Sequence, residues 1–285
     1  MKHLIACILA VALVVGAVSC SKQGVELKFS YPKGKAFRYR LASKINTRMA
    51  TDNALSKYLI EIDMIVNAAV QRVLENGDAE LLFTYEQINY LNSQNPQKTF
   101  ETIKQLKDAK LYITISPYGE ITACKGLEGL PKVDIEDFNL FKLLMKAHPI
   151  FPYTPIQIGK KWDRQQEFPV ENGLLKGNML VYKRFTVTDT THTTEGNIAK
   201  ISSEITMKFD LPQQDNFSIE ADQDQRLGFF GNGVINFDRD HGELINARAF
   251  VVGKMVLRLK HPVTGQSIAT RMETAQNIEI TNLGQ

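Results

Sequence analysis

The side chains most often used in catalysis and metal binding match no established catalytic spacing in this sequence. G-x-S-x-G, H-E-x-x-H, C-x-x-C and G-x-x-x-x-G-K do not occur in it. His148, His192, His241 and His261 each lack a second histidine, a cysteine or a carboxylate in metal-ligand spacing. The sequence therefore predicts a protein that is not an enzyme and that has no catalytic residues, no metal site and no cofactor.

Two acidic stretches are candidates for cation binding. Residues 238–243 read DRDHGE, a D-x-D pattern followed by glycine. An EF-hand loop needs glycine at its sixth place and an acid at its twelfth, whereas Gly242 is fifth and Ala249 is twelfth. We interpret this stretch as a charged hairpin turn. The acids between residues 210 and 224 predict a solvated loop, with weak cation binding as the alternative.

Cysteine is rare, and its three positions restrict the chemistry open to the chain. A basic start, an apolar run over residues 4–15 and small residues before Cys20 indicate a secretory signal peptide over residues 1–19. The apolar run is shorter than the roughly 20 residues of a membrane span. Cys7 leaves with this peptide. Cys124, in a strand-like stretch, is then expected to be a buried, inert thiol without a disulfide partner.

The residues Ala17-Val18-Ser19-Cys20 resemble the lipobox of bacterial lipoproteins. The resemblance implies that the Cys20 thiol is acylated, that Cys20 becomes the first residue of the mature chain, and that the acyl chains hold the protein on a membrane. Ser21 stands where an aspartate would indicate retention at the inner membrane. The resemblance therefore implies a location in the cell envelope, at the outer membrane and on its periplasmic face.

The length and the net charge of the chain limit the remaining classes of function. The chain has 285 residues and a formal net charge of +3, which falls by one unit when Lys2 is removed with residues 1–19. A nearly neutral chain has no electrostatic basis for binding nucleic acid. Its length is enough for one large domain or two smaller ones.

The mature sequence alternates between apolar and polar residues over long stretches, as residues 60–71, 200–209 and 268–280 illustrate. Successive side chains on a strand point to opposite faces, so this period of two predicts antiparallel strands with one solvated face. Several runs exceed ten residues, which favours curved sheets or a partly closed barrel. We predict a mainly β fold.

One segment departs from this alternation and predicts a helix. Ile135, Phe138, Phe141, Leu144 and Met145 form an apolar stripe with helical spacing, and Pro149 follows it. We therefore expect an α-helix near residues 134–147, and a second, short helix over residues 100–106.

Three landmarks recur in the same order about 120 residues apart. They are KGKAFR (33–38) with IGKKWD (158–163), ENGDAEL (75–81) with EGNIAKI (195–201), and ISPYGEI (115–121) with FDRDHGEL (237–244). The recurrence predicts two related antiparallel β units of roughly six strands each. The predicted divisions are a signal peptide (1–19), a first β repeat (20–130), a helix and linker (131–156) and a second β repeat (157–285).

The lipobox, the Lys-Gly-aromatic opening at residues 33–37 and the stretch PIQIGKKW at residues 155–162 resemble a family of envelope lipoproteins known only as a domain of unknown function. No active site is assigned to that family, so the resemblance implies an envelope lipoprotein and no catalytic role. A looser likeness in fold is to periplasmic lipoprotein carriers, which hold an apolar cavity between a curved sheet and helices.

The leading functional hypothesis is that the concave sheet binds an apolar ligand or lipid, with the helix near 134–147 as a lid. Candidate ligand-binding residues are Phe138 and Phe141 on that helix, and Phe229 and Phe230 in the stretch FFGNG. Two adjacent aromatic residues place one ring on each face of a strand, so one could line a cavity; alternatively, both simply pack. The rival hypothesis is a structural or assembly role through contacts with an envelope protein partner, and a hydrolase with a site built from distant residues is the third.

Overall fold

The structure is a computed structural model. The residues that it describes are 24–51, 53–94, 97, 103, 104, 106, 107, 109–126, 148–172, 175–194, 196–210, 217–220, 228–260 and 267–284. Twelve strands account for most of these residues. Their bounds are β1 Ala36–Ala50, β2 Leu55–Val73, β3 Ala79–Asn92, β4 Leu111–Ile115, β5 Ile121–Lys125, β6 Lys161–Asn172, β7 Leu175–Thr193, β8 Gly196–Asp210, β9 Phe217–Glu220, β10 Gly228–Asp238, β11 Glu243–Lys260 and β12 Ser267–Asn282.

All of these strands belong to one antiparallel sheet, which confirms the prediction of a mainly β fold. Its order is β5-β4-β3-β2-β1-β12-β11-β10-β8-β7-β6, and β9 pairs with β11 beside this path. The strands before residue 130 and those after residue 157 therefore do not form separate sheets, because β1 pairs with β12 over residues 39–50. Within the described residues, β5 and β6 do not pair with each other, so the sheet is open.

The period of two in the sequence fixes which side chains each face carries. Along β2, the even-numbered residues from Ile60 to Val70 are all buried, and the odd-numbered residues between them are partly exposed. On β1, Phe37 and Leu41 are buried, whereas Arg38 is exposed. We call the face with the buried apolar side chains the inner face and the opposite one the outer face.

The sheet is strongly curved around its inner face. A cavity of about 40 Å³, here the inner cavity, is lined by Ile113 of β4 and by Leu244 of β11. These strands are five positions apart in the sheet, which would separate them by about 24 Å if the sheet were flat. Side chains of both can line so small a cavity only because the sheet bends around it.

Two segments outside the sheet fill this curved face. Residues 25–31 bridge two distant turns, since the Phe29 N–H donates to the Pro117 carbonyl at 2.7 Å and the Ser30 N–H donates to the Gly242 carbonyl at 2.9 Å. Residues 148–156, which we call the strap, run from the β4–β5 turn to β6, and the Phe151 N–H donates to the Tyr118 carbonyl at 2.8 Å. The strap thus connects the two unpaired edges of the sheet.

Irregularities of strand pairing occur in both halves of the sheet. The register between β2 and β3 shifts after Ile65 and again after Val70, and the register between β7 and β8 shifts after Val187. The β4–β5 pair shifts between residues 114 and 115, and the β10–β11 pair shifts between residues 236 and 237. Each shift reflects one extra residue in one strand, a β-bulge, which bends the strand and increases its twist.

The opening turns of β1 and β6 also share their backbone geometry. Gly34 has a φ of 81° and Gly159 a φ of 83°, a left-handed conformation that glycine adopts without steric cost. The Gly34 N–H donates to the Val70 carbonyl, and the Gly159 N–H donates to the Val187 carbonyl. Both acceptors are the residues that precede the β-bulges of β2 and β7.

Several sequence predictions fall outside this description or differ from it. The helix near 134–147, with Phe138 and Phe141, and Cys20 lie outside the described residues. Residues 103, 104, 106 and 107, in and beside the second predicted helix, are helical. Cys124 on β5 is half-buried, less than was expected, because β5 is an edge strand in the described sheet. Among the described residues, five strands lie in the first predicted unit and seven in the second.

No helix within the described ranges has both the length and the apolar character needed to cross a membrane.

Candidate functional site

A groove of about 920 Å³ crosses the sheet on its outer face, at the seam where β1 meets β12. We call it the outer groove. Its lining residues are Asn46, Thr47, Arg48, Lys57, Tyr58, Leu59, Ser93, Gly228, Phe230, Val252, Gly253, Lys254, Glu273, Thr274 and Ala275. Strand alternation places most of these side chains on the outer face, whereas Thr47, Tyr58, Gly253 and Thr274 have inner-face positions and contribute to the groove floor.

One row of side chains gives the outer groove its apolar character. Residues directly opposite each other on successive strands run from Leu59 through Asn46, Ala275 and Val252 to Phe230. Leu59, Ala275, Val252 and Phe230 form what we call the apolar row. Val252 is 43% exposed, which is unusual for a valine and leaves its side chain accessible from the groove.

A second row, two residues further along each strand, is charged. Arg48 lies directly opposite Lys57 on one side and Glu273 on the other, and Glu273 lies opposite Lys254. The Lys254 ammonium contacts the Glu273 carboxylate at 3.1 Å. Within the part of the chain that the structure describes, neither Arg48 nor Lys57 forms an ion pair. We call Arg48 and Lys57 the cationic pair.

Elsewhere on the outer face, cations are placed opposite acids. Lys44 pairs with Glu61 at 2.6 Å across β1 and β2. Arg248 pairs with Glu279 at 2.9 Å across β11 and β12, and Arg184 pairs with Asp163 at 2.8 Å across β6 and β7. Like charges directly opposite each other destabilise a sheet, so the cationic pair differs from these three pairs.

The two adjacent aromatic residues of FFGNG lie on opposite faces of β10. Phe230 lines the outer groove. The Phe229 ring covers Gly253, its direct partner on β11, and a Cβ atom on Gly253 would lie 2.2 Å from that ring. Glycine is required at Gly253 because the aromatic ring occupies the space that a side chain would need.

Polar side chains also converge on the inner face, where β6 and β7 meet the strap. The Trp162 indole N–H donates to the Ile150 carbonyl at 2.9 Å, and the Arg164 guanidinium donates to the Phe151 carbonyl at 2.7 Å. The Lys183 ammonium donates to the His148 carbonyl at 3.2 Å. These donors satisfy backbone carbonyls of the strap, whose β-type pairing within the described residues is a single bridge between Ile156 and Val25, and this is a structural task.

Burial changes the ionisation of two residues in this region. Loss of solvent lowers the pKa of Lys183 to about 7. The pKa of His148 is lowered to about 4, chiefly by burial and to a smaller extent by repulsion from Lys183. The His148 ring stacks on Phe29 with ring centres 4.9 Å apart, and its buried Nδ1 atom has no hydrogen-bond partner among the described residues. The inner cavity beside His148 holds about 40 Å³, which is too small for an organic substrate.

The stretch DRDHGE forms the end of β10, a turn and the start of β11. The Asp238 carboxylate accepts hydrogen bonds from the backbone N–H groups of Asp240 and His241, and the Asp240 carboxylate accepts one from the N–H of Asn197. Its acids therefore stabilise two neighbouring turns. Among the described residues, no group of three or more histidine, cysteine, aspartate or glutamate side chains is placed to hold a metal ion.

Comparison with known proteins does not identify a family. No protein-family model matches the chain, and no curated protein matches it in sequence. Among solved structures, DynF from the dynemicin biosynthesis pathway of Micromonospora chersina shares 9% identity over 88% of this chain and 83% of its own, with a TM-score of 0.19. The outer membrane protein OprG from Pseudomonas aeruginosa shares 7% identity over 90% of this chain and 100% of its own, with a TM-score of 0.23.

A third structure, the MucA/MucB complex of Pseudomonas aeruginosa, includes a chain with 6% identity over 82% of this chain and 88% of its own, with a TM-score of 0.15. TM-scores this low do not establish a shared fold. These structures support no inference about function.

Sequence reasoning singled out Phe230 and missed the rest of the outer groove. The lining comes from three stretches, residues 46–59, 228–230 and 252–275, with Ser93 from β3. Their proximity depends on pairing between β1 and β12, which are more than 200 residues apart in the chain. The sequence carried one signal for the groove. Phe230, Val252 and Leu59 are apolar residues at strand positions where the alternation predicts polar ones.

Proposed function

We propose that this chain is a lipid-anchored, non-enzymatic protein of the cell envelope that binds an apolar ligand or lipid. The observation that carries the proposal is the outer groove, whose volume of about 920 Å³ is typical of ligand sites and whose apolar row is accessible. The inner cavity of about 40 Å³ does not offer comparable space. The proposed site is therefore on the outer face and not inside the concave sheet.

The proposed anchor is the acylated Cys20 thiol, and the proposed location is the periplasmic face of the outer membrane. The support is the order of basic start, apolar run, small residues and cysteine at the beginning of the chain. Incorporation of radiolabelled palmitate in cells, present in the wild type and absent from Cys20→Ala, tests the anchor independently of the groove.

The proposed organisation is two related β units, residues 20–130 and 157–285, after a signal peptide (1–19) and joined by residues 131–156. The left-handed glycines Gly34 and Gly159 support it, since each donates to the residue that precedes a β-bulge, Val70 in one unit and Val187 in the other. Chance reuse of a glycine turn would not also reproduce this contact with a bulge.

Native mass spectrometry tests ligand binding directly. The chain from Ser21 onward, which contains every described residue, is incubated with bacterial envelope lipids. We expect a reproducible added mass of lipid size, which is lost from the double variant Phe230→Gln with Val252→Gln. Val234→Gln is the matched control, because Val234 is 40% exposed on the same face of β10 but does not line the groove. A wild type that stays free of lipid contradicts the proposal.

The alternative is a structural or assembly role through an envelope protein partner. Phe250 and Val234 favour it, since they are 44% and 40% exposed on the outer face beside the groove. Exposed apolar side chains in a cluster are typical of protein contact surfaces. This alternative predicts a crosslinked complex in intact cells that Val234→Gln with Phe250→Gln abolishes, while lipid binding by the isolated chain is absent.

A further inference from the structure

The cationic pair of Arg48 and Lys57 has no structural explanation within the sheet. The two side chains are exposed and directly opposite each other on β1 and β2, so their charges repel. Glu273, the acid beside Arg48, contacts Lys254 instead. Where local rules are broken without compensation in the free protein, the arrangement is expected to serve a ligand.

The pair lies beside the apolar row, which sets the chemistry of that ligand. Arg48 and Asn46 are two residues apart on the same face of β1, and Lys57 and Leu59 are two residues apart on β2. Two residues of a strand span about 7 Å. A molecule in the outer groove can therefore place an anionic group at the cationic pair and an apolar chain along the apolar row.

The length of the apolar row is that of a lipid chain. From Leu59 on β2 to Phe230 on β10 the row crosses four strand spacings, or about 19 Å. The hydrocarbon core of a bilayer is about 30 Å thick, so a chain in one leaflet spans about 15 Å. One acyl chain laid across the strands has about this length, and between Leu59 and Ala275 it passes the polar Asn46 side chain.

We propose that the outer groove binds one anionic phospholipid, with the phosphate at Arg48 and Lys57 and an acyl chain along the row from Leu59 to Phe230. This inference rests on the proposed function and names its ligand class. Arginine and lysine are the residues that bind phosphate oxygens, and arginine donates two hydrogen bonds to them at once.

A single lipid molecule is favoured over a flat membrane surface. The neighbouring row, which holds the exposed Phe250, carries no net positive charge, because the Lys44 ammonium pairs with the Glu61 carboxylate at 2.6 Å and the Glu204 carboxylate lies 3.8 Å from the Lys161 ammonium. A flat anionic surface pressed on the outer face would therefore gain no attraction from this row. A headgroup seated in the groove meets the cationic pair first.

The test compares two ligands that differ only in the phosphate. Binding of dioctanoyl phosphatidic acid and of dioctanoylglycerol to the chain from Ser21 is measured by native mass spectrometry at concentrations below micelle formation. We expect phosphatidic acid to bind at least about tenfold more tightly. Arg48→Gln with Lys57→Gln should remove this preference, so that the double variant binds the two ligands with equal affinity.

Lys44→Gln is the matched control. It removes a cation from the same face of β1, four residues from Arg48, but one that is already paired with Glu61. We expect it to keep the preference for phosphatidic acid. A preference that Arg48→Gln with Lys57→Gln does not reduce overturns the inference.

The remaining outcomes separate this inference from the proposed function. Equal binding of the two ligands by the wild type overturns the anionic site and leaves apolar ligand binding intact. Failure of both ligands to bind overturns the proposed function and the inference together.

Discussion

The hairpin β1–β2 and the hairpin β6–β7 begin alike and then diverge on their inner faces. Gly34 and Gly159 open them with nearly the same left-handed φ, and each donates to a valine carbonyl on the second strand. The first aromatic residue after each turn is buried, as Phe37 in one and Trp162 in the other. The backbone of the two regions is set by the same local chemistry.

Beyond that point, the first hairpin is apolar and the second is polar. The inner-face positions that match in register are Tyr39 with Arg164, Leu41 with Gln166 and Val66 with Lys183. Val66 is fully buried, and Lys183 is 3% exposed. A buried lysine where the related position has a valine requires a specific cause, because burial of a charged group is costly unless it is bonded.

The cause is the different surroundings of the two hairpins. β1 lies in the middle of the sheet and pairs with β12 as well as β2, whereas β6 is the last strand of the described sheet. Beside β6 and β7 runs the strap, whose carbonyls at residues 148, 150 and 151 accept from Lys183, Trp162 and Arg164. Side chains supply at this edge the hydrogen bonds that a neighbouring strand supplies to β1.

The largest expected effect is at Phe237, which matches Ile115 in register because each lies opposite an alanine on the preceding strand of its region. Phe237 is fully buried, and its ring meets those of Phe29 and Phe151 at 5.1 and 4.7 Å. We expect Phe237→Ala to lower the free energy of unfolding by about 3–5 kcal/mol, more than Ile115→Ala does. Urea denaturation measures both.

Phe237→Leu is the control for this comparison, and it should lose less than the alanine variant because it leaves a smaller cavity. Equal losses for Phe237→Ala and Ile115→Ala would mean that the contacts of Phe237 with the two inner segments add nothing to its burial.

The next largest expected effect is a change of protein stability with pH that Lys183 causes and that Val66, at the matching position, cannot cause. The pKa of Lys183 is about 7 in the folded protein and 10.5 in its ordinary state. Between these values the unfolded chain binds more protons, so stability rises with pH. We expect the wild type to gain roughly 3 kcal/mol between pH 7 and about pH 9.5, and Lys183→Met to lose most of that gain. Thermal denaturation at a series of pH values measures it.

Two internal controls accompany this measurement. The lowered pKa of His148, about 4 against 6.5, acts with the same sign but between pH 4 and 6.5. In Lys183→Met this window should narrow but persist, because burial is the larger cause of the lowered pKa and repulsion from Lys183 the smaller one. Lys200→Met changes an exposed lysine on β8 and should keep the full rise above pH 7. A rise above pH 7 that persists in Lys183→Met would show that another group causes it.

The alternation of the sequence predicted the strands better than it predicted their partners. Residues 60–70 alternate in the sequence and alternate in burial along β2, because the period of two is a local property of a strand. The pairing of β1 with β12 is not a local property. The sequence carries no mark of it, and the outer groove depends on it.

The environment of Lys183 also depends on a contact between residues that are distant in the chain. In the sequence VYKRF it occupies the position between two apolar residues on the buried side of the alternation. Period alone therefore predicts that it is buried, but charge predicts the opposite. The conflict is resolved by the strap carbonyl at His148, which approaches from 35 residues away in the chain.

The smallest expected effect is the sharpest test of likeness between the two regions. Gly34 and Gly159 have the same left-handed φ, and a Cβ atom on either would meet no atom within 4 Å. Backbone strain is then the whole cost of an alanine, about 1–2 kcal/mol at each site. We expect Gly34→Ala and Gly159→Ala to lower the free energy of unfolding by equal amounts in urea denaturation. Gly119→Ala should lower the free energy of unfolding by more than either, because its Cβ atom would lie 2.4 Å from the Pro149 carbonyl oxygen. Unequal losses at Gly34 and Gly159 would mean that the two opening turns are alike in geometry but not in energy.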